Sequence, residues 1–161
     1  MDLTPSAIRE RILAQHAVLR ARLDGLDDIA RRLRHGESAG RSVLEASDHV
    51  LIADLKRAAE ELRALLLDHM EEEERLLLPE LRAVDAFGEA RADALASEHI
   101  TQRQTLDAVL EGIRRDEDVP RLTTRVLELV RHVRADMRNE EANHLSPNLL
   151  KDDIITTGFI G

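Results

Sequence analysis

The chain has no cysteine. That excludes disulfides, thiolate catalysis, zinc fingers, iron–sulfur clusters and covalently attached c-type haem. It has no Trp or Tyr, and its two phenylalanines are Phe87 and Phe159. Stacking platforms for bases or sugars are therefore not expected. No apolar run approaches the ~20 residues of a membrane span, and the first residues lack the apolar stretch of a signal peptide. The expectation is a soluble, cytoplasmic protein with no membrane contact. Positive charge is in deficit, with 23 Lys and Arg against 32 Asp and Glu and a formal net charge of -9. A nucleic-acid binder needs a basic face, and an acidic surface is repelled by anionic lipid.

What the chain has is helix-former chemistry, dominated by Ala, Leu, Arg and Glu. Its 161 residues suffice for one domain with one core. Proline and glycine divide it into four apolar-periodic segments. The first is predicted to open at Thr4-Pro5 and close at His35-Gly36. Its stripe is Ile8, Ile12, His16, Leu19, Leu23, Leu26, Ile29 and Leu33. A polar linker is expected over 36–41. The second helix is predicted from Ser42 to Leu78, stopped by Pro79, with Leu55, Leu62, Leu66, His69 and Leu77 on its inner face. Phe87-Gly88 marks a turn. The third runs from about Glu89 to Ile113, with Leu95, His99, Gln102, Leu106 and Val109 inward. The fourth runs from about Arg121 to Leu145, ending before Pro147, with Val126, Val130, Val133, Met137, Glu141 and His144 inward. Short connections imply an all-α, antiparallel up-down four-helix bundle over 1–150, followed by a non-helical tail over 151–161.

Without thiolates, a metal site must use the seven histidines and the carboxylates. His69 and Glu73 are four apart and share the leucine face. Glu71 and Glu74 are read as solvated. At about 1.5 Å of rise per residue, His16 lies about 16 Å into the first helix and His99 about 15 Å into the third. His69 lies about 15 Å before the end of the second, and Met137 and Glu141 about 15 and 9 Å before Pro147. In an antiparallel bundle these residues fall in one or two adjacent layers. One histidine on an apolar stripe is ordinarily a hydrogen-bonded core residue. Three at one depth, beside Glu73 and Glu141 and with no Lys or Arg on the inner stripes, point to a bound cation, because unpaired buried carboxylates are expensive. Imidazole and carboxylate suit iron, manganese or zinc. His132 and Asp136 flank the stripe and read as a surface pair, and His35 and His49 lie outside the site.

These residues carry a resemblance to the hemerythrin-like, HHE cation-binding domains over about residues 5–150. The carriers are His16, His69-x-x-x-Glu73 followed by Leu-Leu-Leu-Pro, Glu98-His99, and the segment ending Glu140-Glu141 before Pro147. The resemblance implies a four-helix bundle with a non-haem di-iron site that binds dioxygen or nitric oxide, senses redox state or handles iron. It implies His16, His69, Glu73, His99 and Glu141 as ligands. The family pattern expects a His four residues before Glu141, where this chain has Met137. A thioether is a poor ligand for ferric iron, so an atypical site with one or two ions is expected. His144, three residues after Glu141, leans back toward that layer and is a further candidate ligand.

Two other readings stay open at this stage. One is a metal-degenerate helical interaction module. The other is a ferritin-like iron oxidase using Glu141-x-x-His144. No nucleophile with an adjacent base is apparent, which favours ligand binding over turnover. The apolar tail, Ile154 to Gly161, reads as a strap against the bundle. It also resembles the C-terminal peptides by which some hemerythrin-like cargo proteins dock in encapsulin shells. A bundle of this kind is compatible with a monomer or a homodimer.

Overall fold

A computed structural model describes residues 3–38, 46–115 and 118–152. The tail over 153–161, linker residues 39–41 and the expected start of the second helix at Ser42 lie outside these residues. Four helices follow one another: α1 (Pro5–Ser38), α2 (Ala46–Val84), α3 (Gly88–Arg114) and α4 (Val119–Asn143). Each packs on two neighbours, α1 on α2 and α4, and α3 on α2 and α4, so the four form a ring around one core. The α3–α4 seam is the loosest of the four.

Two helices run past their expected ends. α1 runs through Gly36 to Ser38, because a helical glycine costs only about 1 kcal/mol against alanine. α2 runs through Pro79 to Val84 instead of stopping before it. An interior proline costs about 3 kcal/mol. Leu77, Leu78 and Leu81 are all buried around it, and each such side chain contributes about 1.5–3 kcal/mol, so packing wins. At the other boundaries, Asp118 caps α4 by accepting from the Arg121 amide. α4 ends at Asn143 rather than Leu145, with His144 as its C-cap. Leu145 and Leu150 then fold under the bundle, and Arg9 Nε donates to the Leu145 carbonyl at 2.7 Å. Thr4 Oγ1 accepts from the Ala7 amide at 3.3 Å and Asp152 from the Ser6 amide at 2.8 Å, so the start of α1 is capped from both ends of the described chain.

The turn between α2 and α3 depends on Gly88. A Cβ there would lie 2.2 Å from the Leu81 carbonyl oxygen and 2.7 Å from that of Arg82. Both are backbone atoms of a packed helix and cannot swing aside. Gly88→Ala is expected to cost about 1–3 kcal/mol, read as a lower urea midpoint with unchanged slope.

The apolar core divides in two along the bundle. One cluster contains Leu19, Leu66, Met70, Leu106 and Met137; the other contains Ile12, Leu77, Leu95 and Leu145. On every helix the break falls at the same place. His16 lies between Ile12 and Leu19, His69 and Glu73 flank Met70 before Leu77, His99 lies between Leu95 and Leu106, and Glu140 between Met137 and Leu145. A single polar layer crosses the core at that depth.

Candidate metal centre

The polar layer is built from four helices and is dry. His16, Glu73 and His99 are fully buried, Glu140 is 2% exposed and His69 4%. His16 Nε2 lies 3.2 Å from His69 Nε2 and 3.2 Å from Glu140 Oε2. Glu73 stands among the three imidazoles. Its Oε2 is 3.1 Å from His99 Nε2 and 3.5 Å from His69 Nε2, and its Oε1 is 3.9 Å from His16 Nε2. One ligand atom each from His16, His69, Glu73 and Glu140 falls within a 4.8 Å spread.

Each histidine is oriented by a bond on its far nitrogen. His16 Nδ1 donates to Glu141 at 2.8 Å, His69 Nδ1 to the Gln15 carbonyl at 2.9 Å, and His99 Nδ1 to Glu74 at 3.0 Å. These partners accept, so the Nδ1 atoms carry hydrogen and the three Nε2 atoms face inward. The Gln15 amide is fixed in turn, because its nitrogen donates to Glu72, which can only accept. All three outer chains end on an arginine: Arg20 on Glu141, Arg103 on Glu74 and Arg11 on Glu72.

Electrostatics make the layer costly without a cation. Burial pushes the Glu73 carboxyl up to about 7, against the pull of His99 and with the push of Glu140. Burial opposes charge on His16, yet the carboxylates of Glu140, Glu141 and Glu73 around it leave its pKa raised. His99 is raised likewise, burial being outweighed by Glu73 and Glu74. His69 is held down to about 3 by burial and by the two neighbouring imidazoles. Glu73 Oε1 and Glu140 Oε2 are buried with no hydrogen-bond partner. Ligands about 2.1 Å from one ion lie within about 4.2 Å of one another, so sub-ångström shifts close this group on a cation. The residues fit a metal.

Over this arrangement the hemerythrin HHE cation-binding domain matches residues 7–147. The chain belongs to the hemerythrin HHE family. No curated protein and no solved structure matches it at a significant level.

Within this HHE domain the fourth helix departs from the expected register. Glu140, not Glu141, faces the layer; Glu141 has a 27% exposed side chain and serves as the acceptor for His16 Nδ1. The buried positions of α4 alternate by threes and fours, Val126, Val130, Val133, Met137, Glu140, and the step after Met137 is three. Met137 is thus ordinary packing in the upper cluster. The residue four before the inward glutamate is Asp136. Its carboxylate is held by Gln102, which corrects its reading as the surface partner of His132. His144 is buried, and its Nδ1 has no partner, but it is not in the four-residue group. Glu74, read as solvated, orients His99, whereas Glu71 is exposed.

Glu140, Gln15, Glu72 and Glu74 escaped the sequence reading. The usable signal was an arginine four residues after an inward histidine, His16 with Arg20 and His99 with Arg103, since it marks a carboxylate held between them. The corrected register has a measurable consequence. Glu141→Gln is expected to weaken cation binding about 10–100-fold, as loss of an outer partner does, and Glu140→Gln by more, read by isothermal titration. The reverse order would restore Glu141 as the ligand.

Proposed function

We propose that the layer holds non-haem iron and that the protein binds dioxygen or nitric oxide there, in a sensing or iron-handling role. The observation that carries this reading is the convergence of three imidazole Nε2 atoms on the buried Glu73 carboxylate, His99 and His69 at Oε2 and His16 at Oε1, which has no hydrogen-bond partner. Nitrogen and carboxylate donors without sulfur suit iron. Iron bound there supplies open coordination positions and a reversible redox couple.

The chain's own residues do the rest. Gln15, Glu74 and Glu141 hold the rings so that their lone pairs face inward. Ile12 and Leu95 on one side and Leu66 and Met70 on the other close the layer against bulk water. That dry environment favours a small neutral ligand over a charged one. The absence of Tyr and Trp from the chain leaves no aromatic relay for substrate oxidation.

Anaerobic titration of the Fe(II)-loaded protein with nitric oxide tests the reading. Saturable absorption bands that fade on purging with inert gas are expected. A protein that takes up iron and shows no spectral response to nitric oxide would overturn gas binding and leave iron handling as its role.

A further inference from the structure

Along the seam between α1 and α4 runs a groove of about 530 Å³. Arg31 and Arg34 line it from α1, and Arg131, Arg134 and Arg138 from α4. The acids in its lining are Asp27 and Glu128. With Asp24, which pairs with Arg134, three acids meet five arginines in a chain whose net charge is -9. Helical spacing gathers them. Arg131, Arg134 and Arg138 step by three and four, and Asp27, Arg31 and Arg34 by four and three, so each set forms one stripe. Neither stripe enters the core. Arg134 is half-buried, and the other four arginines are exposed. A smaller pocket of about 240 Å³, sharing Arg31 and Arg34, extends the donor surface to His35.

The acids do not use up these donors. Asp27 accepts from Arg31 Nε at 2.8 Å, and Asp24 accepts from Arg134. Arg131 reaches the neighbouring His132 ring at 3.4 Å and has no carboxylate partner among the described residues. Arg138 has none among them either. Like charges three and four apart on one helix repel. The α4 stripe is therefore unfavourable by itself, and an anion lying along it removes the repulsion.

We infer that this groove binds a compact polyanion, a small ligand carrying two or three linked phosphate groups. Arginine's planar fork pairs bidentately with phosphate oxygens and sheds its water more readily than an ammonium. Arg131 and Arg138 are two turns apart, about 10 Å, with Arg134 between them. That spacing suits linked phosphates better than a lone one. The volume falls within the range of small-molecule sites, about 300–1,000 Å³. No aromatic side chain lines the groove, so a base finds no stacking surface and recognition rests on the charges. The acidic remainder of the chain repels an extended nucleic-acid backbone. Nothing in the groove depends on a cation in the layer, so metal-free protein serves for the test.

Isothermal titration of the metal-free full chain with tripolyphosphate at low salt, with a thermal-shift assay alongside, reads the binding. One saturable site is expected, weakened by added salt. Arg131→Ala/Arg138→Ala is expected to weaken it by at least about tenfold, the scale of one lost charge-assisted bond. Arg131→Lys/Arg138→Lys, which restores the charge without the fork, is expected to recover part of that loss. Arg57→Ala/Arg82→Ala removes the same charge from α2, outside the groove, and is expected to leave the Kd unchanged. Equal weakening by both alanine pairs would overturn the site in favour of net charge alone. Neither saturable heat nor a rise in melting temperature in the wild type would overturn it outright. An oligoglutamate peptide or an oligonucleotide that binds the same arginines more tightly than tripolyphosphate would overturn the small ligand.

Discussion

A divalent cation at about a thousand times its Kd is expected to raise the melting temperature by about 10 °C at pH 8. Binding to the folded state alone contributes about 4 kcal/mol at that excess, and a chain of this length gains about 2–4 °C per kcal/mol. The gain should shrink toward pH 5, and the signs follow from the layer. Glu73 has its pKa raised to about 7 by burial. Its contribution to stability is therefore complete below the unfolded value near 4.5 and lost as pH rises through 7. His16 and His99, both raised, contribute fully below about 6.5 and lose that contribution as pH rises beyond it. His69, lowered to about 3 by burial, works oppositely and loses stability as pH falls from about 6.5. The cation-free protein is thus most stable between about pH 4.5 and 6.5 and is weakened at pH 8, where a cation replaces the missing protons. Scanning calorimetry with chelator and with Mn²⁺ reads both effects. Equal melting temperatures at pH 8 would contradict them.

Glu73→Gln is expected to split stability from binding. The side chain is fully buried, and its two oxygens serve all three imidazoles. Cation affinity should fall by more than about 100-fold, beyond the range typical of outer partners. Glutamine keeps the volume and removes the charge that burial disfavours, so the cation-free variant should melt a few degrees higher than wild type at pH 8. Glu73→Ala would confuse the two effects by leaving a cavity. Isothermal titration and calorimetry on Glu73→Gln separate them. A variant that binds as tightly as wild type would remove Glu73 from the centre.

The depth of the site was legible before the fold was. Rise per residue and the antiparallel order placed His16, His69 and His99 in one layer, and that layer is where the two apolar clusters part. The apolar stripes of α1 and α2 were equally readable, because leucine at threes and fours admits one inward face. Rotation at the end of α4 was not. Glu140 and Glu141 are adjacent, identical and flanked by polar residues, so periodicity alone had to choose, and a step of four after Met137, where the helix takes three, drew the choice one residue late. Pro79 misled for a different reason: a local rule worth about 3 kcal/mol yielded to three buried leucines. The bonds from Gln15 and Glu72 cross between helices, and a single helix's pattern carries no trace of them, while Glu74 is marked only by the His99–Arg103 spacing on the facing helix.

Metal content per chain tests the central claim most directly. Wild type and Glu73→Gln are reconstituted anaerobically with Fe(II), desalted and analysed by plasma mass spectrometry. At least one iron per wild-type chain and almost none in the variant is the predicted result. No iron in the wild type, or equal iron in both, would contradict a cation centre built on Glu73.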